Sequence, residues 1–399
     1  MKKTIALATI IASLATSGLN AQINTSQDVI GRDGQSNIIM TAASFLTIAP
    51  DSRAGALGDA GVATTPDTYS QHWNPAKYLF HESRSELGLC YTPWLRKYVD
   101  DMSISYLAGF TKVRRNQAVG YSMTYFNLGD MPFTDVNGTV VKNFSPKEFA
   151  FDVSYSLKLA DNLGASVAMR YIYSNLTGGI SVGGSDETHA GHSVAGDVAV
   201  YYHKDFQMGE RDAHFGLGAD VSNIGTKMSY TSTNDNFIPT NLKVGTSFML
   251  DFDDYNSVMF AFDANKLLVP TPPIYNTTGD QILKGKDPDV SVPTGMFQSF
   301  NDAPGGFEEE MKEISYSFGA EYIYSHTLAG RVGYFSEHKD KGGRKYITVG
   351  FGLTLRAFTF DMAYLVTTTS SNPLQNTLKF SLSVNFDQLR NHRGTMPIE

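Results

Sequence analysis

Apolar and polar side chains alternate along most of the chain after residue 85. Every odd position of residues 149–159 is apolar, and the same alternation occurs in residues 347–355 and 378–386. The polar positions of the first run are Asp152, Ser154, Ser156 and Lys158. Successive side chains of a β-strand point to opposite faces, so a period of two indicates strands with one apolar and one polar face.

About fourteen such runs are present, and each has the length of about ten residues that a tilted strand needs to cross a bilayer. Short turns, such as 160–161, alternate with long connections, such as 128–146, 174–191, 224–238 and 269–313. This asymmetry is typical of bacterial outer-membrane barrels. The runs begin near Ser85, Asp101, Asn116, Lys147, Asn162, His192, Ala213, Pro239, Ser257, Ile314, Thr327, Arg344, Ala357 and Asn376. The pattern predicts an all-β fold: a transmembrane antiparallel β-barrel of about 14 strands.

A soluble β-sandwich would also alternate. Its water-facing positions would, however, carry Lys and Glu, whereas the polar faces here carry mainly Gly, Ser and Thr. Charged residues make up only 18% of the chain, below the roughly 25% of ordinary soluble domains. These features favour the barrel, with an aromatic outer surface that faces lipid.

Residues 47–80 precede the strands, are rich in small side chains and lack alternation. This stretch predicts a plug inside the barrel. Its Arg53 and Asp59 are expected to join an ion-pair network, because an interior charge needs a partner. The strand residues expected in that network are Asp152, Arg170, Asp197, Asp220 and Asp361. Strand glycines at 216, 218, 350 and 352 are expected to allow close packing against the plug.

The chain begins with a positively charged start, an apolar core at residues 5–14 and a small residue at Ala21, which predicts a signal peptide over residues 1–21. We expect a periplasmic and plug segment at 22–84, the barrel at 85–387 and a periplasmic tail at 388–399. Cys90 is the single cysteine, so no internal disulfide can form. The net charge of -8 argues against nucleic-acid binding, which needs a basic face.

No catalytic grouping, cofactor motif or metal site is predicted. His189 and His192 share a spacing found in metal sites, but they stand in a Gly-rich loop, where solvated histidines are the better interpretation. Glu308, Glu309 and Glu310 lack the spacing of a calcium loop. The longest connection, 269–313, is rich in proline, and a loop of that length is usually functional or disordered.

Three stretches carry a family resemblance. Asn74, Pro75 and Ala76 resemble the signature of the FadL-like outer-membrane family, whose members are fourteen-stranded barrels with an N-terminal plug. The longer stretches 45–55, 58–64 and 71–78 resemble the PorV (LptO) family of the type IX secretion system. The similarity covers essentially the whole mature chain.

The resemblance implies a non-enzymatic shuttle in the cell outer membrane. Such a protein receives cargo at a translocon of the SprA/Sov type through the cargo's C-terminal signal domain. It delivers the cargo to a PorU-type sortase, which attaches it to surface lipopolysaccharide. The implied partners are these proteins, the cargo and outer-membrane lipid, with no nucleic acid and no cofactor.

Two groups of residues are candidates for these roles. Candidates for sealing the lumen are Arg53, Asp59, Trp73, Asn74, Pro75 and Ala76. Candidates for binding cargo or a partner are Pro270, Pro272, Tyr275, Phe297, Phe300 and Phe307. The resemblance leaves two alternatives open: a FadL-like transporter of hydrophobic small molecules and a lipid A deacylase.

Overall fold

A closed barrel of fourteen antiparallel strands forms the body of the described chain. The structure, a computed structural model, describes residues 37–96, 101–134, 140–179, 188–232, 234–276, 281–367, 374 and 376–393. Each strand begins within two residues of its predicted start, which confirms the predicted barrel. The expected signal peptide and residues 22–36 lie outside the described residues.

The barrel strands are numbered β1 to β14 in chain order. Their bounds are Ser85–Pro93, Ser103–Arg114, Gln117–Asn127, Lys147–Ala160, Leu163–Asn175, Gly191–Met208, Arg211–Gly225, Asn241–Asp253, Asn256–Leu267, Ser315–Tyr324, Leu328–Ser336, Lys345–Leu355, Phe358–Thr367 and Thr377–Asn385. Consecutive strands pair, and β1 closes the barrel by pairing with β14, with Leu89 opposite Leu382. Turns of two or three residues join the strands at one end, here called the short-turn end, and longer connections join them at the other, the long-loop end.

The two faces of each strand reverse the usual arrangement of a soluble protein. On β4, Phe151 and Tyr155 point outward and are about half exposed, whereas Asp152 and Ser156 point inward and are buried. Apolar outward side chains are compatible with the hydrocarbon core of a bilayer. The closed barrel also meets the second requirement of that environment, because its strands satisfy their backbone hydrogen bonds with one another. No helix in the described residues is long and apolar enough to span a membrane.

Residues 41–80 lie inside the barrel and are called the inner segment. Their regular elements are short: 3₁₀ turns at Ser44–Thr47 and Pro75–Phe80, and helices α1 at Ser52–Ala56 and α2 at Ser70–Trp73. Asp51 caps α1, because its carboxylate accepts the backbone N–H of Ala54 at 2.8 Å. Gly58 and Asp59 then adopt left-handed conformations and bend the chain sharply.

Strand glycines let the inner segment approach the barrel wall. A Cβ on Gly333 would lie 2.0 Å from the backbone nitrogen of Gly58. One on Gly216, Gly218 or Gly350 would lie 2.3–2.5 Å from atoms of residues 56, 62 and 63. The expectation is therefore confirmed for these three glycines of the four named from sequence.

Gly352 is the exception. Its added Cβ would lie 2.6 Å from Asp361 and 2.8 Å from Arg331, not against the inner segment. Its lack of a side chain makes room for a buried ion pair, so the expected contact with the plug was wrong at this position.

The described part of the longest connection contains regular secondary structure. It contains a short hairpin, Ile274–Tyr275 with Ile282–Lys284, and two helices, α3 at Val292–Gln298 and α4 at Phe307–Lys312. The hairpin occupies the proline-free stretch between Pro273 and Pro288, where backbone N–H groups are free to pair. Two further short hairpins, Met131–Thr134 with Val140–Phe144 and Met228–Ser229 with Asp235–Asn236, lie in other long connections. A 3₁₀ turn spans Lys339–Lys341, and helix α5, Phe386–Arg393, follows β14.

The close approach at Gly333 predicts how a side chain there acts. Gly333→Leu should expel the inner segment from its place against β11, because the new side chain overlaps the backbone of Gly58. We expect cells that carry this variant to become more sensitive to large antibiotics that the outer membrane normally excludes.

Gly330→Leu is the matched control. Gly330 lies on the same strand, but no atom lies within 4 Å of its added Cβ. Its antibiotic sensitivity should remain that of the wild type. Equal sensitivity of the two variants would contradict the role of Gly333 as the contact point.

Candidate functional site

An ion-pair network joins the inner segment to the barrel wall at Arg53. Its guanidinium lies 2.9 Å from Glu321 and 3.1 Å from Asp67. Glu321 in turn pairs with Arg331 at 2.6 Å, and Arg331 pairs with Asp361 at 2.5 Å. Glu321, Arg331 and Asp361 are buried, and Arg53 and Asp67 are largely so, so each charge depends on its partners for compensation.

A second network lies on the lumen face of β4 to β8. Arg170 pairs with Asp152 at 2.6 Å and with Asp197 at 2.8 Å, and Lys243 approaches Asp220 at 3.7 Å. The predicted internal ion pairing is thus confirmed, as two clusters, for six of the seven named residues, and Asp59 belongs to neither cluster.

Sequence reasoning missed two central members, Glu321 and Arg331. Both stand on inward positions of their strands and lie directly opposite each other in the β10–β11 pairing. The register of that hairpin, set by its short turn, is the signal that would have identified them.

Asp59 and Trp73 are both held by hydrogen bonds within the lumen. The hydroxyl of Tyr346 donates to Asp59, and the ammonium of Lys379 lies 3.9 Å away. The indole N–H of Trp73 donates to Asp51 at 2.7 Å, the residue that caps α1. Trp73 therefore ties α2 to α1.

Asn74, Pro75 and Ala76 form the start of the second 3₁₀ turn. The side-chain oxygen of Asn74 caps that turn by accepting the N–H of Ala76 at 3.1 Å, and its amide donates to the carbonyl of Val200 on β6 at 2.9 Å. The carbonyl of Pro75 accepts the hydroxyl of Ser156 on β4 at 3.0 Å. The tripeptide thus anchors the inner segment to two strands, and all three residues are buried.

A cavity of about 450 Å³ borders the inner segment. Its lining includes His72, Trp73, Lys243, Glu313, Lys341 and Arg344. Ile38, Met40, Leu46 and Phe335 also line the cavity, so it is of mixed polarity, and its charged groups disfavour a hydrocarbon, which prefers a predominantly apolar pocket.

The long connection between β9 and β10 forms a cap over the long-loop end. Glu313, just before β10, fixes the cap to the wall: it accepts hydrogen bonds from Lys266 at 2.5 Å, Lys341 at 2.9 Å and Thr271 at 2.6 Å. Glu310 adds a second pair to Lys266 at 3.0 Å. Such charge-assisted bonds with little solvent access hold the cap in one position.

Two carboxyl groups of the cap titrate unusually. Burial, with the nearby charges of Glu310 and Glu313, raises the pKa of Asp302 to about 6, although the N–H of Thr271 opposes the shift. Partial burial would raise the pKa of Glu309 as well, but hydrogen bonds from Lys341 and from the N–H of Gly305 lower it. Glu309 therefore stays ionised and bound to the 3₁₀ turn after β11.

The six candidate loop residues occupy different positions in the cap. Phe297 and Phe307 are 80% and 79% exposed, and Phe300 and Tyr275 are about half exposed. Pro270 is buried, with its ring 3.0 Å from the position of a Cβ on Gly295 of α3. The half-buried Pro272 accepts the side-chain amide of Asn37 at 2.8 Å through its carbonyl. The structure thus brings the four aromatic residues to the surface and leaves the two prolines beneath them.

A closed fourteen-stranded antiparallel barrel with an apolar outer surface and a filled lumen defines an outer-membrane β-barrel protein. The family profile described as type IX secretion system protein PorV matches residues 31–274, more than half of the 399 residues. The chain belongs to this family, and it is an outer-membrane component of type IX secretion. The short-turn end accordingly faces the periplasm.

Several solved structures are similar in fold. The Pseudomonas putida toluene transporter TodX is 10% identical, with 87% of this chain and 98% of that chain covered and a TM-score of 0.46. The monoaromatic hydrocarbon channel CymD is 13% identical, with 85% and 98% covered and a TM-score of 0.44. A Pseudomonas aeruginosa FadL homologue is 10% identical, with 88% and 100% covered and a TM-score of 0.41. No curated protein matches the sequence.

The Arg53 network predicts a large loss of stability when one of its carboxylates is replaced by an uncharged amide. Glu321→Gln should destabilise the folded barrel by about 3–5 kcal/mol, because it leaves Arg53 and Arg331 buried without their shared carboxylate. The measurement is the temperature at which purified protein loses its folded band on semi-native gel electrophoresis. Glu308→Gln, at a side chain that is 87% exposed, is the control and should leave that temperature unchanged.

Proposed function

We propose that this protein binds secreted cargo through the cargo's C-terminal signal domain and shuttles it from the translocon to the surface sortase. The observation that carries the proposal is the cap, which presents Phe297 and Phe307 to the exterior on a base fixed by buried Lys–Glu pairs. Family membership supports the setting in type IX secretion.

Exposure of aromatic side chains to water is unfavourable in free energy, and such side chains are enriched at the centres of protein interfaces. Phe297, Phe300 and Phe307 lie on or next to the two cap helices, with Tyr275 on the cap hairpin. A base that is already ordered loses little conformational entropy on binding, which favours affinity. The cap therefore has the chemistry of a protein-docking surface.

The inner segment has a different task in this proposal. Its contacts run to the barrel wall through Arg53 and Asn74 and to its own helices through Trp73. We assign to it the sealing of the lumen, while the cap binds cargo. The PorU-type sortase, the SprA/Sov-type translocon and lipopolysaccharide are the partners that the family implies.

The second candidate function is transport of hydrophobic small molecules. The lumen cavity could hold a small ligand, but its charged lining opposes an apolar one. Measurable uptake of a fatty acid or a monoaromatic compound by proteoliposomes that contain the protein would favour transport. A lipid A deacylase would be favoured only if purified protein released acyl chains from lipid A.

The cap aromatics predict the result of a cargo-binding experiment. Phe297→Ala with Phe307→Ala should lower the affinity for an isolated signal domain at least about tenfold, because truncation of a residue that anchors the centre of an interface costs about 2 kcal/mol or more. Binding is measured by biolayer interferometry on protein in detergent.

Tyr255→Ala is the control for that experiment. Tyr255 is 62% exposed, but it lies in the turn between β8 and β9 at the opposite end of the barrel. Its cargo affinity should match the wild type. An unchanged affinity of the double Phe variant, with a folded barrel, would remove the cap from the proposal.

The proposed separation of tasks predicts that substitutions in the inner segment impair the seal of the barrel and not cargo binding. Arg53→Ala and Trp73→Ala should make the outer membrane leak, because both remove bonds that hold the segment in the lumen. Cargo affinity should stay within about twofold of the wild type. Lost cargo binding with an intact seal would contradict the separation.

A further inference from the structure

A group of two histidines and two aspartates lies at the short-turn end of the lumen. The Nε2 atom of His203 lies 2.8 Å from Asp205 Oδ1, and the Nδ1 atom of His214 lies 2.5 Å from the same oxygen. On its other side, His214 Nε2 lies 3.2 Å from Asp251 Oδ2. Among the described residues, His203, Asp205 and His214 are the group whose ligand atoms all lie within 4.8 Å of one another.

The strand register builds this group. His203 and Asp205 are two residues apart on β6, so they share a face. Asp205 lies directly opposite His214 on β7, and His214 lies opposite Met249 on β8, two residues before Asp251. Three adjacent paired strands therefore hold all four side chains, without a flexible loop.

The group faces the lumen. Tyr201, two residues before His203, packs on Ala63 and Ala76 of the inner segment, and the hydroxyl of Ser247, four residues before Asp251, donates to the carbonyl of Ala63. The ring of Phe80, the last residue of the inner segment's 3₁₀ turn, lies 5.8 Å from that of His203. The site is thus half sheltered beneath the inner segment and open to the periplasm.

The hydrogen-bonding capacity of the group is unusual. Two imidazole nitrogens converge on one carboxylate oxygen of Asp205, and the far nitrogen of His214 faces a second carboxylate. A neutral imidazole has one N–H and one lone pair. If His214 donates its Nε2 proton to Asp251, its Nδ1 lone pair points at the Asp205 oxygen, and the two repel each other. Either a second proton on the ring or a metal ion at Nδ1 removes that conflict.

A carboxylate that accepts the outer N–H of a ligating histidine is the usual support of a zinc site, because it fixes the tautomer and the ring orientation. Asp251 has that position relative to His214. Two imidazole nitrogens and one carboxylate oxygen are also a common ligand set of Zn²⁺ sites that keep a fourth position for water. The His189–His192 pair considered from sequence does not belong to this group.

We propose that His203 Nε2, His214 Nδ1 and a carboxylate oxygen of Asp205 bind one Zn²⁺ ion, with Asp251 as the positioning residue of His214. The ion links β6 to β7 at the periplasmic rim, next to the end of the inner segment. Because the ion lies at the opposite end of the barrel from the cap, its removal should leave cargo binding unaltered.

The test uses the full-length mature protein, stripped with a chelator and carrying a purification tag without histidine. Zn²⁺ should bind with a stoichiometry of one in isothermal titration. Co²⁺ used as a probe should give visible absorption bands of a four- or five-coordinate site. His214→Ala and Asp205→Asn should each weaken Zn²⁺ binding at least about 100-fold, and Asp251→Asn by about 10–100-fold.

His326→Ala is the matched control, since His326 lies in a turn at the same end of the barrel but outside the group. It should bind Zn²⁺ as the wild type does. Asp205→Asn preserves side-chain size, so it separates loss of the ligand from loss of folding, which is checked by semi-native electrophoresis. No binding to the wild type, or binding that the Asp205→Asn and His214→Ala variants retain, would overturn the proposal.

Discussion

Every charge that points into the barrel needs an opposite charge or hydrogen bonds that compensate it, and this requirement governs the structure. The outward face contacts lipid and therefore carries apolar side chains, so polar side chains collect on the inward face. There Arg53 of the inner segment adds a second cation to a wall cluster in which Glu321 and Asp361 otherwise share Arg331, and it also pairs with Asp67 of its own segment. The inner segment is thus an electrostatic part of the barrel as well as a filling for it.

The barrel could be predicted from sequence because its signal is local. A strand of ten residues shows both faces in its own alternation, and the short turns show which strands pair. The inner segment could be identified because small residues without alternation are unusual beside such strands. Its partners were harder: Asp152 and Arg170 were expected in a network from their inward positions, but Glu321 and Arg331 emerge only when the pairing register sets them opposite each other.

The burial of individual cap residues could not be predicted from local sequence patterns. Nothing in the spacing of residues 269–313 separates the buried Pro270 from the exposed Phe297, because no period relates them and Pro270 packs beside Gly295 of α3, 25 residues further along the chain. The group around Asp205 could not be predicted for the same reason. His203 and Asp205 have the spacing of one strand face, but His214 joins them only through the β6–β7 register.

Ser381 of β14 occupies a position with consequences for assembly. Its hydroxyl contacts Ser52 of the inner segment at 2.9 Å and Cys90 of β1 at 3.1 Å. The last strand of the chain, the first strand and the segment that precedes them all therefore meet at one side chain. Part of the native contacts at the seam therefore form only when the inner segment is in place, which couples closure of the barrel to filling of the lumen.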